Sequence, residues 1–277
     1  MSNNVLLEPT LLPVSPDVEA MLAKEQKLIN AKRIFWFLVA VAILIYSAIR
    51  SDLSFVELVQ GTGNMVEIIG RFFPPNFTNW RFYLSDIIET VAMGIWGTLM
   101  AAIVAVPLGI LSAENLCPYW IVFIIRRFGD AMRAINELVF AVIFIVAVGL
   151  GPFAGVLALF IHTTGTLGKL FSEAVESIDP GPVEGIRATG ATKLQEIIFG
   201  VIPQVIPLWS SFVLYRFEAN VRSASVLGFV GAGGIGVTLI QNFRAFKYQE
   251  VGAMLIMLIV TVAIIDTISS KIRNRLV

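Results

Sequence analysis

Long apolar segments with almost no charged residues constrain the fold of this chain more than any other feature. Residues 34–49 contain no charged side chain, and residues 87–113 are interrupted only by Glu89 near their start. A helix of about 20 apolar residues is long enough to cross a bilayer. Only 14% of the chain is charged, whereas soluble domains have about 25% charged residues. The sequence therefore predicts an all-α membrane protein, a polytopic bundle of about six transmembrane helices.

Six apolar segments are predicted to span the membrane, at residues 34–49, 87–113, 135–148, 153–170, 203–223 and 251–268. The turn sequence Gly-Leu-Gly-Pro at 149–152 predicts that the third and fourth segments form an antiparallel hairpin. Residues 118–125 are apolar but too short to span, and an interfacial helix there is an open alternative. An apolar cluster that begins at Phe55 suggests another short interfacial helix.

The distribution of lysine and arginine predicts the orientation, because cytoplasmic loops carry an excess of basic residues. If the amino terminus is inside, the inner segments hold 13 of the 20 basic residues and the outer segments hold five. These inner segments are the 1–33 tail, the loops 114–134 and 169–202, and the tail after residue 268. Both termini are therefore predicted to be cytoplasmic, and residues 34–84 are predicted to form the first span with an outer segment.

Composition also narrows the class of protein. Cys117 and His162 are the only cysteine and histidine in the sequence, which excludes an intramolecular disulfide and a metal site built from several such residues. The net charge is +0 and no basic cluster is present, so nothing indicates nucleic-acid binding. There is no serine elbow, no paired-carboxylate motif and no Walker-type phosphate loop. The sequence therefore predicts neither an enzyme nor a bound metal or cofactor.

The loop 184–203 has the pattern of two short helices between apolar segments. Pro182 fits the first position of the first helix, and Gly190 supplies the turn that follows it. Thr192 followed by Gln195 has the spacing of a capping box, which begins the second helix. A polar, helix-forming loop on the predicted cytoplasmic side suggests a docking surface for a cytoplasmic protein, with an ordinary connecting loop as the alternative.

Four polar residues lie within the fifth predicted span, namely Arg216, Glu218, Asn220 and Arg222. Charged side chains inside a membrane are costly and usually mark a functional path. Glu218 and Arg222 are four residues apart, so one interpretation is an ion pair along the helix, with Arg216 held by a neighbouring helix. The other interpretation is a path for an anion, because arginine binds phosphate-like oxyanions with two parallel hydrogen bonds.

A glycine-rich segment follows the fifth span and is a candidate for gating. It contains Gly231, Gly233 and Gly234 within LGFVGAGGIG, which matches the GxGxxG pattern. The chain lacks the strand and helix context of a dinucleotide site, so that function is excluded. The glycines predict a broken helix that lines a path, or close packing of helices.

Two titratable residues are further candidates for the path. Glu137 begins the third span and is predicted to pair with Arg133, and a place in the path is the alternative. His162 lies in the fourth span and is predicted to be a hydrogen-bonded structural residue, again with a place in the path as the alternative.

Four runs of sequence carry a resemblance to a known family. They are RAINELVFA at 133–141, VGLGPFAGVLALFIHTTG at 148–165, GPVEGIRATGA at 181–191 and YRFEANVRSASVLGFVGAGGIGVTL at 215–239. With these runs the chain resembles the permease subunit of the phosphonate ABC importers, whose relatives carry phosphite or hypophosphite. The resemblance covers residues 85–277 well and the amino-terminal part loosely.

The resemblance implies the type I ABC importer permease fold for residues 85–277, in a bacterial inner membrane. It implies a homodimer with a second permease copy, a cytoplasmic ABC ATPase dimer that binds ATP and Mg²⁺, and a periplasmic phosphonate-binding protein. The loop 172–203 then becomes the coupling loop that docks on the ATPase, through Glu184, Gly185, Ala188, Gly190, Ala191 and Pro203. The implied function is ATP-driven import of a phosphonate or a related phosphorus oxyanion. A self-sufficient secondary transporter of a small anion is the alternative.

Overall fold

The structure is a computed structural model that describes residues 16–276, with side chains described for residues 24–275. Helices form almost all of this part of the chain, which confirms the all-α prediction. They are α1 (Pro16–Arg50), α2 (Phe55–Arg71), α3 (Trp80–Leu111), α4 (Tyr119–Ala134), α5 (Glu137–Val148), α6 (Pro152–Glu176), α7 (Pro180–Ala188), α8 (Lys193–Gln195), α9 (Ile202–Leu227), α10 (Ile235–Arg244) and α11 (Tyr248–Leu276). A π-helical turn, Glu196–Val201, precedes α9, and a 3-10 turn, Gly228–Val230, follows it.

The chain consists of two compact units, and the boundary between them follows Val66. The first contains α1 and the start of α2, and residues 24–50 of α1 are long and apolar enough to cross a membrane. The second unit begins at Glu67 and contains the helices that carry every candidate site residue.

Five helices of the described chain are long and apolar enough to span a membrane, and a bent pair brings the number to as many as six. The bent pair is α4 and α5, which meet at an angle of 86°. The sequence predicts a single straight span at 135–148, but α5 has only 12 residues, which is fewer than a crossing needs. A third crossing is therefore possible only if α4 and α5 together form one bent span. Residues 119–125 of the short apolar segment lie in α4, and Pro118 is its N-cap.

The break between α4 and α5 is stabilised by a cap. The side chain of Asn136 accepts a hydrogen bond from the Leu138 amide at 2.9 Å, so Asn136 is the N-cap of α5. This bond satisfies one of the amides that the start of a helix leaves without a partner.

Helix α3 packs lengthwise against α6, and small residues let the two backbones approach closely. Ala101 of α3 is fully buried. A methyl group at Gly97 would lie 2.8 Å from Leu159 Cβ, so this contact has no room for a side chain. At the end predicted to be cytoplasmic, the rings of Phe171 and Trp209 stack with centroids 4.5 Å apart, which joins α6 to α9.

The glycine-rich segment breaks the helix after Leu227, as the sequence predicts. Gly231, Gly233 and Gly234 have φ angles of 95°, 84° and 71°. Residues with a side chain rarely adopt this left-handed region, whereas glycine does so without penalty. The chain can therefore turn sharply here before α10 begins at Ile235.

Two side chains of α3 satisfy the first backbone amides of α10. Glu89 Oε1 accepts from the Gly234 amide at 2.8 Å, and Thr90 Oγ1 accepts from the Ile235 amide at 2.8 Å. Because the first amides of a helix have no partner within it, these bonds close the break and fix α10 on α3. Glu89, the single charged residue of the second apolar segment, is thus hydrogen-bonded to the backbone at the start of α10.

The predicted orientation can be tested by cysteine labelling in a Cys117→Ser background. We expect a cysteine at Ser2 or Val277 to resist an impermeant thiol reagent in intact cells, because both termini are predicted to be cytoplasmic. Both positions lie outside the described residues. A cysteine at the exposed Ala245, in the turn between α10 and α11, should react and serves as the control. Labelling at either terminus would contradict the orientation.

Candidate functional site

The predicted two-helix loop is present between α6 and α9. Helix α7 begins at Pro180, two residues before the predicted start at Pro182, because the Asp179 side chain caps it by accepting from the Gly181 amide at 2.9 Å. Gly190 has a φ of 84° and forms the turn after α7.

The second helix of the loop begins as the sequence predicts. Thr192 and Gln195 form the capping box, with the Thr192 amide donating to Gln195 Oε1 at 2.8 Å. A short α-helical turn then passes directly into the π-helical turn before α9.

A buried carboxylate holds the loop in one shape. Glu196 is 4% exposed, and it accepts from Arg187 Nε and Nη2 at 3.0 Å each and from Lys193 Nζ at 3.1 Å. This bidentate geometry is the strong form of such a pair, and the Glu196 carboxylate raises the pKa of the Arg187 guanidinium above its ordinary value. Gly200 brings the π-helical turn against α7, since a methyl group there would lie 3.1 Å from Val183 Cα. The two halves of the loop therefore form one rigid body.

The outer surface of this loop carries most of the predicted coupling residues. Ala191 is half-buried, and the other predicted coupling residues are exposed: Glu184, Gly185, Ala188, Gly190 and Pro203. Leu194 and Phe199 are each 65% exposed and add apolar area to the same loop. An exposed surface with apolar and acidic groups on a rigid support has the chemistry of a docking site.

The charged residues of α9 pair with α11, which corrects the interpretation of an ion pair along α9. Arg222 Nη1 lies 3.1 Å from Asp266 Oδ2, and Arg273 Nη2 lies 3.1 Å from Glu218 Oε1. The angle at Glu218 falls short of a hydrogen bond. Glu218 and Arg222 are therefore neutralised separately, by two residues from a different helix.

Asn220 lies in a buried polar contact among three helices. Its Oδ1 accepts from Thr163 Oγ1 at 3.0 Å, and its Nδ2 donates to Thr98 Oγ1 at 2.8 Å. Asn220 is only 2% exposed, so its polar atoms are used to join α3, α6 and α9.

Arg216 differs from the other polar residues of α9. It is half-buried, and its Nε atom is buried without a hydrogen-bond partner among the described residues. Unlike Arg222, it forms no ion pair among the described residues. A buried donor without a partner is costly and calls for an explanation such as a missing ligand.

Glu137 does not pair with Arg133, which corrects that prediction. Arg133 binds Asp130 instead, with Nη2 2.7 Å from Oδ1. Glu137 Oε1 accepts from Ser223 Oγ at 2.7 Å, and Glu137 Oε2 lies 3.7 Å from His162 Nε2. The carboxylate thus sits where α5, α6 and α9 meet.

His162 has the hydrogen bond that the structural interpretation requires. Its Nδ1 lies 3.0 Å from the Ile135 carbonyl oxygen, in the break between α4 and α5. A carbonyl only accepts, so the proton is on Nδ1. His162 therefore satisfies a backbone oxygen that the break in the helix leaves free.

The structure brings together two of the sequence-predicted residues, Glu137 and His162, and places them against α9 at Ser223. Ser223 completes the cluster and was missed by sequence reasoning, as were Glu196, Asp266 and Arg273. Ser223 is seven residues from Arg216 and so lies on the same face of α9, which is the signal that could have found it.

Comparison with known proteins places the chain in a family. Residues 105–277, more than half of the chain, match the family described as binding-protein-dependent transport system inner membrane component. The chain belongs to this family. Membership gives no support to the alternative of a self-sufficient secondary transporter.

Two relatives of the permease are named for phosphorus oxyanions. It is 39% identical over 218 residues to the phosphite transport system permease protein PtxC of Stutzerimonas stutzeri, covering 78% of this chain and 79% of that protein. It is 38% identical over 231 residues to the phosphate-import permease protein PhnE of Mycolicibacterium smegmatis, covering 83% of this chain and 43% of that protein.

The fold of the permease is similar to a chain of the MetNI methionine ABC transporter in an inward-facing conformation. The TM-score is 0.65 at 19% sequence identity, over 73% of this chain and 99% of that chain. The predicted type I ABC importer permease fold is therefore confirmed.

Proposed function

We propose that this permease moves a phosphorus oxyanion, such as phosphite or a phosphonate, across the inner membrane at the expense of ATP hydrolysed by a separate ATPase subunit. The assignment of the substrate class rests on Arg216, which lies near the middle of α9. Its Nε is buried and has no hydrogen-bond partner among the described residues. Arginine matches the geometry of a tetrahedral oxyanion and stays charged. The names of the two relatives support the same class.

The other polar residues of α9 have a different role in this proposal. Glu218 and Arg222 are each neutralised by α11, and Asn220 is used in a buried contact. We assign these three to the assembly of the bundle. Among the polar residues of α9, we assign Arg216 to the transported anion.

Coupling to ATP hydrolysis is assigned to the loop of α7 and α8. Its exposed face, centred on Glu184 and Gly190, has the shape and chemistry of a docking surface, and the Glu196 contacts make it stiff enough to transmit a movement. The glycine break is assigned to the outer end of the bundle, where Gly233 approaches Pro152 so closely that a methyl group would lie 2.7 Å from its Cα. Two permease copies, two ATPase subunits and a periplasmic binding protein complete the proposed transporter.

Ligand-stimulated ATP hydrolysis by the assembled complex tests this proposal. The permease is purified with its ATPase in lipid nanodiscs, and the binding protein is added with phosphite, methylphosphonate, phosphate or sulfate. We expect stimulation by at least one of the phosphorus oxyanions and none by sulfate. Stimulation by sulfate alone, or failure of the permease to bring down an ATPase, would contradict the proposal.

A further inference from the structure

The carboxylate of Glu137 occupies an unusual position for an acid in the path of an anion. It lies at the first residue of α5 and receives a hydrogen bond of 2.7 Å from Ser223. Ser223 and Arg216 are on the same face of α9, two helical turns apart. Glu137 therefore occupies the Ser223 hydroxyl, on the face of α9 that also carries Arg216.

No lysine or arginine side chain forms an ion pair with this carboxylate among the described residues. Within the described part of the chain, His162 is the only basic group at ion-pairing distance, and its Nε2 is 3.7 Å from Glu137 Oε2. The His162 proton is on Nδ1, where it binds the Ile135 carbonyl oxygen. In the neutral ring Nε2 then presents a lone pair to the carboxylate and donates nothing. Arg216 makes no direct ion pair with Glu137 among the described residues, and its link to this carboxylate is the face of α9 that it shares with Ser223.

A carboxylate and a phosphorus oxyanion make the same kind of contact. Both are anions that accept charge-assisted hydrogen bonds from guanidinium and hydroxyl groups. Two such anions a few ångströms apart repel each other strongly in a partly desolvated site. Glu137 and the transported oxyanion therefore compete for one positive site.

We propose that Glu137 is an internal placeholder for the transported oxyanion. When no oxyanion is bound, it accepts the hydrogen bond from Ser223 on the face of α9 that also carries Arg216, and an arriving oxyanion must displace it. The placeholder lowers the affinity of the permease for oxyanions free in solution. Binding of the oxyanion to the permease therefore depends on the high local concentration that the binding protein supplies. This inference rests on the proposed function of Arg216.

Glu137→Gln tests the placeholder, because glutamine keeps an oxygen that can accept from Ser223 and replaces the other carboxylate oxygen with a neutral amide nitrogen. The probe is inorganic phosphite, titrated into the permease–ATPase complex in nanodiscs without the binding protein, with binding measured by equilibrium dialysis. We expect the variant to bind phosphite at least about tenfold more tightly than the unchanged protein, since a nearby like charge is lost. Equal or weaker binding would overturn the proposal.

Glu137→Asp is the matched control, since it shortens the side chain but keeps the charge. We expect its phosphite affinity to stay close to that of the unchanged protein; a gain equal to that of Glu137→Gln would show that packing and not charge is responsible. If Glu137→Gln does not assemble, Glu137→Ala must show the same gain. In the unchanged complex, phosphite must also shift a carboxylate band in the infrared difference spectrum, and an unshifted spectrum contradicts displacement.

The failure of this inference can be separated from failure of the proposed function. If Arg216→Gln abolishes phosphite binding while Glu137→Gln leaves it unchanged, the oxyanion path stands and the placeholder is wrong. If Arg216→Gln leaves phosphite binding and transport unchanged, the assignment of Arg216 is wrong as well.

Discussion

Arg216→Gln is expected to reduce transport of phosphite by roughly 10- to 100-fold without loss of the assembled complex. A hydrogen bond to a charged group contributes about 1.5–3 kcal/mol, and about 1.4 kcal/mol corresponds to a factor of ten. Because Arg216 Nε has no partner among the described residues, its removal breaks no buried contact there. The melting temperature of the variant should therefore stay the same or rise. Transport by reconstituted complexes and thermal unfolding of each variant are the two measurements.

Two arginines paired with acids provide the controls. Arg222→Gln removes the same charge from the same helix, but its pair with Asp266 is half-exposed, so transport should fall by less than about fivefold. Arg273→Gln leaves the buried Glu218 without its partner, and breaking a buried pair costs about 3–5 kcal/mol. This variant should lower the melting temperature. If Arg216→Gln behaves like Arg273→Gln, the arginine is structural and has no place in the path.

Glu184→Arg is expected to lower ligand-stimulated ATP hydrolysis by at least about tenfold. Glu184 is exposed on α7, and substitutions of exposed residues usually change the free energy of unfolding by about 0.5 kcal/mol or less. The lower rate of ATP hydrolysis must then come from a lost contact between the permease and its ATPase. Gly190→Val should have a similar effect for a different reason, since a β-branched residue at a φ of 84° strains the turn between α7 and α8.

The control for the coupling loop is a charge reversal elsewhere on the predicted cytoplasmic side. Glu25→Arg changes an exposed acid of α1, outside the loop, and should leave both co-purification with the ATPase and stimulated hydrolysis unchanged. The docking surface is assigned wrongly if Glu184→Arg and Gly190→Val both retain the stimulated rate of the unchanged complex.

Local patterns in the sequence predict much of the fold and the shape of the coupling loop. The capping box of Thr192 and Gln195 is a contact between residues three apart, so it can be read directly. The glycines after Leu227 break the helix because their backbone conformation is a local property. At the bend between α4 and α5, Asn136 followed by Glu137 marks the start of a new helix, but the 86° angle depends on how the two helices pack and cannot be predicted from local sequence.

Ion pairs within the bundle could not be predicted in the same way. Glu218 and Arg222 have the spacing of a helical pair, yet their partners on α11 are Arg273 and Asp266. Four-residue spacing permits a contact but does not require it, since a charge inside a bundle binds whichever opposite charge the neighbouring helix presents. The ion pair between Arg187 and Glu196 was also not predicted, because it depends on how α7 packs against the π-helical turn.

Uptake into proteoliposomes tests the central claim most directly. The vesicles hold the permease with its ATPase facing the lumen, and radiolabelled phosphite is supplied outside with the binding protein. We predict that uptake requires ATP in the lumen and the binding protein outside, and that it persists when all ion gradients are dissipated. Uptake that needs neither ATP nor the binding protein and follows an imposed ion gradient would contradict the account.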